Sequence, residues 1–121
     1  MKKVLIIEDD SFLVEVYATK LEERGFETEA AQNGEEGLKM LDEKDFDLVV
    51  LDISLPGIDG WQVLEKIRTN DRNKEVKVII LSNKDIDDMK KLEDLKVEKY
   101  LIKVNYTSAE VVDEIEKIVN V

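Results

Sequence analysis

The sequence predicts an α/β domain in which a five-stranded parallel sheet carries helices on both faces. Five short apolar runs alternate from end to end with five segments whose apolar residues recur at helical spacing. Strict alternation of strand and helix is typical of parallel sheets, because a parallel connection must cross back along the sheet. The runs Leu48–Leu51 and Val78–Leu81 are continuously apolar, as expected of strands covered on both faces.

The strands are predicted at the apolar runs and the helices between them. In chain order the runs are Lys3–Ile7, Phe26–Ala30, Leu48–Leu51, Val76–Leu81 and Tyr100–Ile102. Pro56-Gly57 breaks the chain after the third run. The helical spacing is carried by Leu13, Val16, Tyr17 and Leu21; Gly37, Leu38 and Leu41; Val63, Leu64 and Ile67; Ile86, Met89, Leu92 and Leu95; and Val111, Val112, Ile115, Ile118 and Val119.

Capping residues support the second and the last of these helices. Asn33 precedes the second helix and is a good N-cap. Thr107, with Glu110 three residues later, forms a capping box before the last one. The fourth helical pattern has no comparable signal and is the weakest of the five.

Composition limits the chemistry that this chain can perform. Its 121 residues are the size of one domain, so we predict a single domain over residues 1–121. The chain has no Cys and no His, which excludes disulfides, thiolate or imidazole nucleophiles, and metal ligation by either residue. Any metal must be bound by oxygen, which favours Mg²⁺, Ca²⁺ or Mn²⁺.

Charge and hydropathy indicate which partners to expect. The chain has 18 Lys and Arg against 29 Asp and Glu, a net charge of −11, which argues against direct binding of nucleic acid. No apolar stretch approaches the roughly 20 residues of a membrane span, and the N-terminus lacks a signal-peptide cleavage pattern. We therefore expect a cytoplasmic protein without direct contact to nucleic acid or membrane.

Four predicted strands end in polar residues suited to one site. The acidic residues Glu8–Asp10 follow the first strand, Asp52 the third, Ser82 the fourth and Lys103 the fifth. In open α/β sheets, ligands bind beyond the carboxyl ends of the strands. Each residue alone has a commoner explanation, namely a solvated or capping acid, a loop hydroxyl and a surface lysine. Their combination predicts a site.

Converging carboxylates in turn predict a bound cation. Two carboxylates about 4 Å apart repel by roughly 4 kcal/mol at an effective dielectric constant near 20. A divalent ion removes that penalty, and Mg²⁺ combines one or two carboxylates with waters and phosphate oxygens. Lys103 is long enough to bridge much of the distance to Asp52 if the third, fourth and fifth strands are neighbours about 4.8 Å apart.

Four features of the sequence point to a known family. They are the string IIEDD, the string VVLDISLPGIDGW, Ser82 at the end of the fourth strand, and Lys103 with Tyr100 three residues earlier. Together they resemble the receiver domain of two-component response regulators. The resemblance covers essentially the whole chain. It implies a flavodoxin-like sheet of order 2-1-3-4-5. It also implies a signalling switch, rather than an enzyme, that takes its phosphoryl group from a histidine kinase or a His-phosphotransfer protein.

The resemblance implies a role for each matching residue. Asp52 resembles the phospho-accepting aspartate, and Ser82 and Lys103 the groups that hold the phosphoryl oxygens. Tyr100 resembles the aromatic residue that turns inward when that hydroxyl moves. The implied partner, a downstream effector or a second copy of the chain, then binds the surface of the fourth helix, fifth strand and fifth helix. The Mg²⁺ ligands implied are Glu8, Asp9, Asp52 and the main-chain carbonyl of Ser54.

Three residues depart from the family's pattern. Val104 follows Lys103 where a proline in a cis bond is usual, and the loop to the last helix is one residue longer. Asn83 replaces a usually small residue beside Ser82. Lys96 stands where a glycine commonly ends the fourth helix, which predicts an irregular helix end.

The sequence leaves three other functions open. A Mg²⁺-dependent phosphatase with an aspartate nucleophile would carry a second acid two residues later, where this chain has Ser54. A flavodoxin-like electron carrier needs a hydroxyl- and glycine-rich phosphate loop after the first strand, where this chain has Glu8–Asp10. A pseudo-receiver would act only as a protein-interaction module, although the acids, hydroxyl and lysine here are intact.

Overall fold

The computed structural model describes residues 1–120, and its elements follow the predicted order. The strands are β1 (Lys3–Ile7), β2 (Glu27–Ala31), β3 (Leu48–Asp52), β4 (Lys77–Ser82) and β5 (Lys99–Ile102). The helices are α1 (Ser11–Glu23), α2 (Gly34–Glu43), α3 (Gly60–Thr69), α4 (Met89–Asp94) and α5 (Ser108–Val119), with a 3-10 turn over Lys103–Asn105. The predicted domain end, Val121, lies outside the described residues.

All five strands are parallel in the order β2-β1-β3-β4-β5, which confirms the predicted fold. Strand β1 pairs with both β2 and β3, so the direction of winding reverses between β1 and β3. Asp52 lies in register with Leu81, and Ser82 with Ile102, so that β3, β4 and β5 end side by side. The strand-end residues therefore meet at the point where such sheets bind ligands.

The sheet is buried on both faces, as the continuous apolar runs predict. One face packs against α1 and α5 and includes Ile6, Val50 and Ile79. The other packs against α2 and α3 and includes Leu5 and Val49. Successive strand residues point to opposite faces, so a register slip of one residue would exchange the two sets. Burial on both sides thereby fixes where each strand ends.

The predicted helix caps are present. The side chain of Asn33 accepts a hydrogen bond of 2.8 Å from an amide in the first turn of α2. Thr107 and Glu110 each accept from the other's backbone amide, which completes the predicted box at α5. A further box, formed by Asp59 and Gln62, begins α3. Within residues 1–120, no helix is long and apolar enough to cross a membrane.

The predicted start of the second strand is one residue early. Phe26 belongs to the end of α1, because its amide donates to the Leu21 carbonyl at 3.1 Å and the Gly25 amide donates to the Glu22 carbonyl at 3.0 Å. Gly25 has a φ of 89°. These are the bonds and the left-handed residue of a Schellman motif, which closes a helix before the chain turns into a strand.

The predicted fourth helix is wrong at its start. Helix α4 has six residues and none of them is buried. Ile86 precedes it, and Met89 is 66% exposed. The reason is Asp88, whose carboxylate accepts from the Lys91 amide and therefore acts as the N-cap. The apolar spacing that includes Ile86 predicts a helix start before Asp88, but the helix begins only after this N-cap.

Helix α4 ends in a second Schellman motif, with Lys96 in the position that Gly25 has after α1. The Val97 amide donates to the Leu92 carbonyl at 2.9 Å, and Lys96 has a φ of 54°. The helix end that was expected to be irregular is therefore a regular Schellman motif, in which Lys96 adopts a strained left-handed conformation. Arg68 of α3 supports this end by donating to the carbonyls of Leu95 at 2.7 Å and Lys96 at 3.1 Å.

We expect Lys96→Gly to raise the free energy of unfolding by about 0.5–1 kcal/mol. A left-handed conformation costs a residue with a Cβ about 1–2 kcal/mol, and the greater entropy of glycine in the unfolded chain offsets part of that gain. Urea denaturation measures the difference. The reciprocal control is Gly25→Ala, whose Cβ meets nothing within 4 Å. It should lose stability, and equal effects of the two changes would contradict the strain at Lys96.

Candidate functional site

Three acids converge where β1 and β3 end. Asp52 is the last residue of β3 and is 2% exposed, and Glu8, directly after β1, is equally buried. Asp9 is exposed, yet one carboxylate oxygen from each of Glu8, Asp9 and Asp52 lies within 4.8 Å of the others. Because carboxylate oxygens are the donors that hard divalent cations prefer, this cluster could hold a metal ion.

Lys103 supplies the positive charge at this cluster. Its Nζ lies 2.7 Å from Glu8 Oε1 and 3.5 Å from Asp52 Oδ1. The residue begins the 3-10 turn after β5, and its side chain reaches across the end of β4 to Asp52. The residue that follows it, Val104, is 83% exposed and joined by a trans peptide bond. Without the proline usual in the family, the ammonium still reaches both carboxylates.

Burial sets the electrostatics of the pair formed by Glu8 and Lys103. Desolvation, helped by the charge of Asp52, raises the pKa of Glu8 to about 7, although the hydrogen bond from Lys103 opposes this. Desolvation also lowers the pKa of Lys103, but its hydrogen bond to Glu8 and the charge of Asp52 outweigh that effect and raise the pKa overall. The lysine thus stays charged while Glu8 takes up protons near neutral pH.

Backbone groups orient the two buried acids. The Ser54 amide donates to Asp52 Oδ1 at 3.1 Å, and the Asp10 amide donates to Glu8 Oε2 at 3.1 Å. The Asp10 side chain faces its own helix instead, where it accepts from two amides in the first turn of α1. Asp10 is therefore a capping residue, which is the commoner role that the sequence allowed for each acid of this run.

Ser82 and Tyr100 are both hydrogen-bonded to the backbone of Lys84. Ser82, the last residue of β4, accepts from the Lys84 amide at 3.1 Å. The Tyr100 hydroxyl donates to the Lys84 carbonyl at 2.8 Å. Tyr100 also stacks on Trp61, with ring centroids 6.4 Å apart and planes inclined by 12°. The Lys84 backbone thereby connects Ser82 and Tyr100, the two residues that the resemblance implies will move.

Two residues of this region, Gly60 and Trp61, end the string VVLDISLPGIDGW, but the sequence patterns predict no role for either. A Cβ on Gly60 would lie 2.5 Å from the Asp52 carbonyl oxygen and 2.6 Å from Ile53 Cα, so only glycine lets α3 start against the end of β3. Trp61, the next residue, packs on Tyr100. The available signal was the capping box of Asp59 and Gln62, which marks the start of the helix that carries both.

A family model described as response regulator receiver domain matches residues 4–116 of this chain. The match includes all of β2 to β5, all of β1 but Lys3, and the acidic cluster. The chain belongs to this family. Membership confirms the resemblance and makes the chain a receiver domain of two-component signal transduction. It disfavours the phosphatase and electron-carrier alternatives, and nothing in the described residues favours a pseudo-receiver.

Individual relatives agree with this assignment. The transcriptional regulatory protein HprR of Escherichia coli is 38% identical over 102 residues, which are 84% of this chain and 44% of HprR. AfsQ1 of Streptomyces coelicolor is 42% identical over 89 residues, 72% of this chain and 38% of that protein. The receiver domain described here thus spans less than half the length of these curated relatives.

Solved structures have the same fold. TrrA of Thermotoga maritima, in a complex with Mg²⁺ and BeF, is 32% identical with a TM-score of 0.81, covering 97% of this chain and 98% of TrrA. TrrA has also been solved with the histidine kinase ThkA, at 31% identity, a TM-score of 0.81 and 97% coverage of both chains.

The raised pKa of Glu8 predicts that the metal-free protein loses stability as the pH rises. Glu8 has a pKa of 4.5 as a free side chain and about 7 when folded. Between these values the folded state binds the proton more tightly, so stability present at low pH is lost as the pH rises to about 7. Relative to Glu8→Gln, wild type should lose about 1–3 kcal/mol over this range.

Urea denaturation in EDTA, at several pH values between about 4.5 and 8, measures that difference. Glu15→Gln on the exposed side of α1 is the matched control, since it removes a carboxylate outside the cluster. Parallel stability curves for wild type and Glu8→Gln would show that the Glu8 proton is not linked to folding.

Proposed function

We propose that this receiver domain accepts a phosphoryl group on Asp52 from the phosphohistidine of a histidine kinase or a His-phosphotransfer protein. The observation that carries the proposal is the buried Asp52 carboxylate, clustered with Glu8 and Asp9 oxygens within 4.8 Å and with the Lys103 ammonium at 3.5 Å. A carboxylate flanked by a metal-binding acidic cluster and a fixed cation has what a phospho-accepting nucleophile needs.

The residues present fit Mg²⁺. The side-chain donors are all oxygen, and their atoms cluster within 4.8 Å. The ion would be held by Glu8, Asp9, Asp52 and the main-chain carbonyl of Ser54. When bound, Mg²⁺ supplies positive charge that neutralises these acids and stabilises the charge on the transferred phosphoryl oxygens.

Asp52 performs the covalent step. One of its carboxylate oxygens attacks phosphorus in line, and the new O–P bond forms as the P–N bond to the donor imidazole breaks. The imidazole keeps the electron pair of that bond. Lys103 then pairs with one phosphoryl oxygen, and the Ser82 hydroxyl donates to another. Water later hydrolyses the acyl phosphate, which restores the Asp52 carboxylate and releases inorganic phosphate.

This chemistry makes the domain a switch that catalyses its own phosphorylation and dephosphorylation, rather than an enzyme for a separate substrate. Movement of the Ser82 hydroxyl toward the phosphoryl group allows Tyr100 to turn inward. The surface of α4, β5 and α5 then differs between the two states, as a shift between populations. A downstream effector or a second copy of the chain binds that surface. We expect the exchange to take place in the cytoplasm.

We expect a Mg²⁺-dependent adduct at Asp52. Beryllium fluoride with Mg²⁺ mimics the phosphoryl group, and mass spectrometry after a small phosphodonor detects the covalent product. Asp52→Asn should abolish both, because an amide cannot act as the nucleophile. Asp10→Asn is the matched control, since Asp10 caps α1 beside the cluster. An adduct that survives Asp52→Asn, or forms equally well in EDTA, would overturn the assignment.

We also expect the adduct to change the surface of α4, β5 and α5. An NMR titration with beryllium fluoride and Mg²⁺ should shift amide signals along Met89–Asp94, Lys99–Ile102 and Ser108–Val119 as well as around Asp52. The reason is that a ligand moves a two-state equilibrium by its differential affinity for the two states. Shifts confined to the neighbourhood of Asp52 would show that the switch does not reach this surface.

A further inference from the structure

The turn that carries Lys103 lacks the proline that is usual in the family. A proline restrains a loop because its ring fixes φ. This chain has Val104 at that position, with a side chain that is 83% exposed. The next residue, Asn105, is also exposed. Exposed side chains add little restraint, so the backbone from which the Lys103 side chain extends depends on contacts made elsewhere.

Tyr106 supplies such a contact at the end of the turn. Its amide donates to the Lys103 carbonyl at 3.3 Å and closes the 3-10 turn over Lys103–Asn105. The backbone of Tyr106 is then extended, with φ −132° and ψ 133°, and its side chain packs against the buried cluster on the α1 and α5 face of the sheet. The next residue, Thr107, is the N-cap of α5. The turn is thus tied to the core directly where it ends.

The start of the turn is held by the sheet. Ile102, the residue before Lys103, lies in register with Ser82 of β4. The Lys103 side chain is 14% exposed, and its ammonium lies 2.7 Å from Glu8 and 3.5 Å from Asp52. Lys103 is therefore restrained at both ends of its backbone segment and at the tip of its side chain.

The backbone restraint gains importance once the carboxylates have another partner. A divalent cation in the acidic cluster competes with the Lys103 ammonium for Glu8 and Asp52, because both are positively charged and both seek the same oxygens. The ammonium then depends on its backbone for its position. If the turn were disordered at this stage, pairing with a phosphoryl oxygen would have to order it, at a cost in conformational entropy.

We propose that Tyr106 is a positioning residue that anchors the 3-10 turn to the core and thereby holds Lys103 in place to bind the phosphoryl group at Asp52. The inference rests on the proposed function, because it assumes that Lys103 pairs with a phosphoryl oxygen. In this chain, a packed side chain three residues after the lysine replaces the restraint of a proline directly after it.

Removing the aromatic ring should weaken binding at the phosphoryl site. At saturating Mg²⁺, the affinity for beryllium fluoride, measured by ¹⁹F NMR of the bound fluoride, should fall about two- to tenfold in Tyr106→Ala, because binding must then order the turn. Tyr106→Phe is the conservative variant and should bind like wild type, since it keeps the ring that packs against the core. Unchanged affinity in Tyr106→Ala, or an equal loss in Tyr106→Phe, overturns the proposal.

Val104→Ala is the matched control within the same turn. It also shortens an apolar side chain, but one that is exposed and anchors nothing. Its affinity for beryllium fluoride should equal that of wild type. A loss as large as in Tyr106→Ala would mean that any change in the turn has this effect, and it would overturn the role of the anchor.

Binding of Mg²⁺ alone separates positioning from a general loss of structure. The carboxylates of the cluster follow β1 and end β3, outside the turn. Calorimetric titration should therefore give a Mg²⁺ affinity for Tyr106→Ala that is equal to that of wild type or higher, since a less restrained Lys103 competes less for Glu8. A parallel loss of both affinities overturns positioning. If the alanine variant does not fold, Tyr106→Leu gives the same comparison, and no loss of affinity for beryllium fluoride there overturns the proposal.

Backbone dynamics test the anchor directly. In the Mg²⁺-loaded protein, Tyr106→Ala should lower the heteronuclear ¹H–¹⁵N NOE of the amides of Lys103–Asn105 and leave those of Ser108–Val119 unchanged. Unchanged values over the turn overturn the anchor. Absence of an adduct in wild type overturns the proposed function, and the effect on affinity with it. An Asp52-dependent adduct whose affinity does not change with Tyr106 overturns only the role of Tyr106.

Discussion

Glu8 and Asp52 are buried together at the carboxyl edge of the sheet, where the Lys103 ammonium balances part of their negative charge. The Lys103 ammonium lies 2.7 Å from one carboxylate and 3.5 Å from the other. Burial makes this arrangement costly, because charges removed from water lose solvation and the two acids repel each other. The two-sided core enforces it all the same, since β1 and β3 are packed on both faces and their ends cannot retreat toward solvent. A bound cation would relieve the repulsion that remains between the two carboxylates.

Helix α4, which is part of the surface that would respond to such a ligand, is the least buried of the five helices. Helix α4 contributes no buried residue, whereas α3 and α5 contribute several. Its end is held by polar contacts from Arg68 and by a left-handed Lys96, and its side by Lys91 over Trp61. Segments with few buried apolar contacts open at low free energy, and elements that move in switching are drawn from them. We therefore expect α4 to be the element of that surface that moves at the lowest free-energy cost.

The sequence by itself determined the fold and the residues that meet at the edge of the sheet. Continuous apolar runs identify buried parallel strands, and alternation with helices brings their carboxyl ends together, so Glu8, Asp52, Ser82 and Lys103 could be named in advance. The caps at Asn33 and Thr107 could also be predicted from the sequence, because a capping side chain lies only a few residues from the amide that it binds.

Tertiary structure alone decided the rest, because it depends on distances between residues far apart in the chain. The start of α4 is a separate case, because Asp88 is a local cap three residues before the amide that it binds, and the apolar spacing obscures that signal. The need for glycine at position 60 follows from the approach of α3 to the Asp52 carbonyl. The raised pKa of Glu8 follows from burial and from charges on β3 and beyond β5. The stack of Trp61 on Tyr100 joins residues 39 positions apart, and no local pattern encodes such a contact.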